Sequence, residues 1–107
     1  PGEGGGVGGG VYRPGAGIVN PELLRNVQPE YTSDALRAKI EGTVHLEMVV
    51  LPDGTVGDVT VVKSLDPVFG LDQEAIKAAR QWLFKPATRF GEPVALLVVA
   101  ELYFNLR

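Results

Sequence analysis

The sequence predicts an α+β domain in which a three-stranded antiparallel sheet carries two helices on one face. Three observations lead there. Residues 43–51 and 94–106 alternate apolar and polar side chains at period two, the mark of half-buried strands. Pro52-Asp53-Gly54-Thr55 turns the first of these back into a partner strand, residues 56–64. Helix-start signals precede the first and the last strand. The resulting order is α-β-β-α-β.

Residues 1–10 contain seven of the fourteen glycines, so we expect residues 1–17 to be a Gly-rich flexible linker and residues 18–107 the folded domain. No Lys follows these glycines and no strand precedes them, so they do not form a phosphate loop. Asn20-Pro21-Glu22 reads as a helix start: an N-capping residue, a proline suited to the first turn and an acid at the positive dipole end. Pro29 ends that turn. Thr32 caps a second segment, residues 33–40, with Tyr31 stapled to Leu36 and Gly42 as the stop.

In the strand that follows, Val44, Leu46, Met48 and Val50 point to the core, while Thr43, His45 and Glu47 point away. Val59 and Val61 alternate with Asp58, Thr60 and Val62 in its partner. Asp72 reads as an N-cap between Leu71 and Ile76, opening an amphipathic helix over 73–82 whose face is Leu71, Ala75, Ile76, Ala78, Ala79 and Trp82. Trp82 and Phe84 invite a binding-site reading, but Trp82 closes the apolar face of the helix and Phe84 caps the sheet, so both are expected in the core. Pro86 stops the helix, and Arg89 to Pro93 turns into the last strand. The helix returns along the sheet, so the last strand lies antiparallel to the first. With the first strand central the order is 2-1-3, and residues 94–106 form an exposed edge.

Composition excludes several functions. The net charge is -3 and no two basic residues are adjacent, which argues against a nucleic-acid binder. There is no cysteine and one histidine, so neither a thiolate nor a multi-histidine metal site can form, and no cofactor is expected. Ser33 and Ser64 have local structural roles and no G-x-S-x-G occurs, so we expect no enzyme. No apolar run approaches the ~18 residues that cross a bilayer. The chain begins with Pro1, and we expect it to be a piece of a longer protein.

The run VQPEY (Val27–Tyr31), Ala35, IEGTV (Ile40–Val44), Asp53-Gly54-x-Val56, GLD-x-x-A (Gly70–Ala75), W-x-F-K-P-A (Trp82–Ala87) and Gly91-x-Pro93-Val94 together resemble the TonB C-terminal domain family. The resemblance covers roughly residues 27–106; Thr32 stands where the family often has Pro. It implies a TonB/TolA C-terminal-like fold. It also implies a periplasmic domain of an inner-membrane-anchored energy transducer, whose membrane part works with a proton-driven complex. The partner implied is an outer-membrane transporter, gripped through an extended N-terminal segment. An exposed sheet edge suits capture by strand addition. On this reading Val94, Leu97, Val99, Glu101, Tyr103 and Asn105 carry the contact, with Gln28, Pro29 and Tyr31 added on resemblance alone. The alternative is a periplasmic structural or self-association module, such as a homodimer, using the same edge.

Overall fold

A computed structural model describes residues 10–106. Its elements in chain order are β1 (Val11–Tyr12), β2 (Ile18–Val19), β3 (Glu22–Arg25), α1 (Ser33–Arg37), β4 (Gly42–Val50), β5 (Val56–Lys63), α2 (Leu71–Ala79), β6 (Leu83–Lys85), β7 (Thr88–Arg89), β8 (Glu92–Pro93) and β9 (Ala95–Phe104). The fold is α+β. The main sheet is four-stranded, ordered β1-β9-β4-β5, and two small sheets, β2-β7-β8 and β3-β6, flank it.

β4 runs between its two long neighbours. It is antiparallel to β9, with Gly42 opposite Phe104 and Val50 opposite Leu96, and antiparallel to β5. One face of this ladder is buried: Val44, Leu46, Met48 and Val50 from β4 and Leu96, Leu102 and Phe104 from β9. α2 packs against β4 and β5. Its Leu71, Ala75, Ala78 and Ala79 are buried, the small alanines letting the helix lie close to the sheet. Trp82 and Ala35 complete the core.

The hairpin tip is fixed by its neighbours as well as by its turn. Asp53 Oδ1 accepts from the amide and the hydroxyl of Thr55. Gly54 sits at φ 88. A Cβ there would lie 2.1 Å from the Phe84 carbonyl oxygen, so β6 is seated directly on the turn. The Phe84 amide donates to the Gly54 carbonyl at 2.8 Å.

Several expectations are corrected. The sheet has four strands rather than three, because Val11–Tyr12, expected within the linker, forms β1 and pairs in parallel with the start of β9. The part of the linker expectation at residues 1–9 lies outside the described residues. Asn20-Pro21-Glu22 opens a strand, not a helix: β3 pairs antiparallel with β6. Leu23 and Leu24 are both exposed, so a helix here would have had no apolar face to bury.

α1 ends earlier than expected. Lys39 adopts φ 58, and the Lys39 and Ile40 amides bond back to the Leu36 and Ala35 carbonyls, closing a Schellman turn. Leu36 is exposed, so no staple to Tyr31 forms. Asp72 does not cap α2; left-handed Gly70 takes that position. The Asp72 carboxylate turns back instead to accept from the Leu65 and Asp66 amides and the Ser64 hydroxyl. Asp66 in turn accepts from the amides of Val68, Phe69 and Leu71. These two buried carboxylates organise the β5–α2 loop.

Candidate functional site

The site is built on β9, whose side chains alternate as a half-buried strand requires. Leu96, Leu102 and Phe104 face the core, while Val99, Glu101 and Tyr103 are exposed on the helix-free face. β4 satisfies one side of the β9 backbone from Leu96 to Phe104. On the other side β1 covers only Ala95 and Leu96. In an antiparallel ladder alternate residues turn their N–H and C=O groups away from the paired neighbour. From Leu97 to Phe104 those outward groups meet no strand among the described residues.

An open groove of about 530 Å³ lies along the first part of this free stretch. The β9 residues Leu97 to Ala100 form one wall, Arg13, Pro14, Asn20 and Pro21 contribute to another, and Trp82 and Phe84 line it from the core side. Trp82 is buried, and its indole N–H donates to the Val27 carbonyl at 2.9 Å. Its ring packs against Phe84 at 6.3 Å between centroids. Sequence reasoning weighed a binding-site role for Trp82 and Phe84 against a core role and favoured the core; Trp82 is buried and also lines this groove. Arg13-Pro14 carried no signal of its own, because only the pairing of the preceding Val11–Tyr12 with β9 brings it here.

The individual site residues are placed as follows. Leu97 is half-buried at the groove and Val99 is 66% exposed beside it. Glu101 lies opposite His45 on β4, 3.5 Å from its Nδ1, and accepts a 2.8 Å hydrogen bond from the Tyr103 hydroxyl. That bond, with the Glu101 charge and partial burial, raises the Tyr103 pKa above its ordinary value. Asn105 is exposed just past the strand. Val94 stands apart: it is half-buried before β9 begins, and its amide donates to the Ala87 carbonyl at 2.9 Å. The expectation of a wholly unpartnered edge over 94–106 is therefore corrected to a free stretch beginning at Leu97.

The structure does not bring Gln28 and Pro29 into the β9 groove. They line a separate cleft with Glu74 and Lys77 of α2 and Gln81 just past its end. Tyr31 packs inward: its ring meets Phe104 edge-to-face at 5.4 Å, and its hydroxyl donates to the Ile40 carbonyl at 2.5 Å. Burial and then the Glu41 charge raise its pKa. Among the described residues no cluster of three His, Cys, Asp or Glu side chains is arranged to hold a metal.

Comparison with known proteins agrees on one family. Residues 27–106 match the family model described as the Gram-negative bacterial TonB protein C-terminal. Protein tonB2 of Pseudomonas aeruginosa is 43% identical over 71 residues, 66% of this chain and 26% of that protein. Protein TonB of Escherichia coli K12 is 34% identical over 83 residues, 78% of this chain and 33% of that protein. The chain thus spans about a quarter to a third of the length of these relatives. The solution structure of the Pseudomonas aeruginosa TonB C-terminal domain superposes with a TM-score of 0.62 at 28% identity, covering 85% of this chain and 88% of that one.

Proposed function

The chain belongs to the Gram-negative bacterial TonB C-terminal family, and from that premise we propose that it grips an extended N-terminal segment of an outer-membrane transporter by adding it as a strand to β9. Membrane-anchored parts of the full-length protein then pull on that grip, using energy from a proton-driven inner-membrane complex, and the domain works in the periplasm. The observation that carries the reading is the free stretch Leu97–Phe104 beside an apolar groove. Strand addition needs a row of outward backbone groups for affinity and adjacent pockets for alternate side chains. It also suits force transmission, because several ladder bonds run perpendicular to the strands and are loaded together. No catalytic group is required.

The test uses calorimetric titration with a synthetic transporter-derived peptide and with the same peptide N-methylated at alternate backbone positions. N-methylation removes ladder donors and leaves the protein untouched. The proposal expects one of the two N-methylated registers to bind at least tenfold more weakly. Equal affinity for the peptide and both methylated forms would show that side chains alone carry recognition and would refute it.

A further inference from the structure

Resting on the strand-addition reading, we propose that Val11–Tyr12 is a tethered internal competitor for the edge a partner strand occupies. β1 lies parallel to β9 with Val11 opposite Ala95 and Tyr12 opposite Leu96, so the chain's own backbone already fills the first positions of that edge. A segment added along all of β9 and a seated β1 exclude one another over Ala95–Leu96. With β1 in place, an incoming strand reaches only from Leu97 onward. There it runs beside Arg13 and Pro14, which help line the groove.

β1 is held weakly. Its pairing with β9 spans two residues, and neither Val11 nor Tyr12 belongs to the hydrophobic core. Val11 is exposed. The Tyr12 ring stacks outside the main sheet, with the Arg89 guanidinium 5.3 Å from its centroid. That guanidinium also lies 5.1 Å from the Phe90 ring.

The segment just downstream is held separately. β2 pairs with β7, with Ile18 opposite Arg89. The Phe90 ring covers Gly17, whose Cβ position would lie 3.1 Å from it. Residues 13–17 therefore tether β1 close to its seat even when it lets go. Reattachment is intramolecular, with an effective concentration of millimolar order for a tether this short. A weak ladder on a short tether yields to a well-matched strand and returns when that strand leaves. The apparent affinity for a partner falls by the fraction of time the edge is covered.

The test compares the full chain with two variants of it, Val11→Pro/Tyr12→Pro, which cannot donate to the ladder, and Tyr12→Ala, which keeps its amide but loses the stack on Arg89. Thermal melts check folding. The probe is a fluorescein-labelled peptide copying a transporter's extended N-terminal segment, read by anisotropy. Both variants are expected to bind more tightly than the unmodified chain, the double variant by roughly threefold or more. In the unmodified chain, the Val11 and Tyr12 amide signals are expected to move to detached positions as the peptide saturates, a readout that needs no variant. Equal or weaker binding by the variants, or β1 signals that stay in place in the saturated complex, overturns the competitor. Failure of all three proteins to bind overturns the strand-addition reading itself, and the competitor with it.

Discussion

Replacing Trp82 with Ala removes more than a ring from the core. Trp82 is 8% exposed and sits one turn past α2. It packs against Phe84 and ties the 27–30 segment to the helix end through Val27. Deleting a buried aromatic to Ala typically costs about 3–5 kcal/mol, from lost transfer free energy plus the cavity left behind. A domain of this size has roughly 5–15 kcal/mol in total. At about 4–8 °C per kcal/mol the midpoint should fall by ~12 °C or more. Trp82→Phe separates the two contributions. It keeps most of the apolar volume but leaves the Val27 carbonyl without its donor, at a cost of about 1 kcal/mol. The assays are thermal and urea denaturation followed by far-UV circular dichroism, because Trp82 is the only tryptophan and the variants lose their fluorescence probe. A loss under ~1 kcal/mol for Trp82→Ala would refute the packing account.

Gly54→Ala should lower stability by about 3 kcal/mol in the same denaturation assay, since a methyl meets the Phe84 carbonyl and the backbone sits at positive φ; an unchanged midpoint would show that β6 is not seated on the turn. Burial pushes the Asp66 carboxyl up, but the amides of Phe69, Val68 and Leu71 outweigh it and hold the group below its ordinary value. Its contribution is therefore complete above the unfolded-state pKa and disappears as pH falls through the lower folded value. Melts of the native chain and Asp66→Asn from pH 7 to 2 should show a gap that closes only at the acid end. Tyr31→Phe should cost about 1 kcal/mol through the Ile40 carbonyl, whereas Tyr103→Phe, on the exposed face, should leave the midpoint within experimental error.

What could be read from the sequence was whatever repeats locally. Val44 to Val50 and Leu96 to Phe104 declare their faces every second residue, and Ala75, Ala78 and Ala79 mark the buried side of α2. β1 and β3 had no such signal. They are two and four residues long, and their partners lie at Ala95–Leu96 and Leu83–Lys85, remote in the chain. A pairing that short has no period of its own, and Asn20-Pro21-Glu22 satisfied helix-start chemistry without a helix to start. Asp72 followed the same logic: it looked like a helix cap, while its carboxylate accepts from the amides of a loop closed by tertiary packing. Within the candidate site, the outward face of Leu97, Val99, Glu101 and Tyr103 was legible. The covering of Ala95–Leu96, the commitment of the Val94 amide and the separation of Gln28 and Pro29 from that face were not.

The central claim is that the outer edge of β9 is a backbone docking site. It is tested most directly by scalar couplings across hydrogen bonds in a complex of the isotope-labelled domain with a transporter-derived peptide. The account predicts couplings linking alternate β9 residues between Leu97 and Phe104 to the peptide backbone. Couplings, or peptide contacts, confined to the Val56–Lys63 edge or to the cleft between Gln28–Pro29 and α2, with β9 silent, would contradict it.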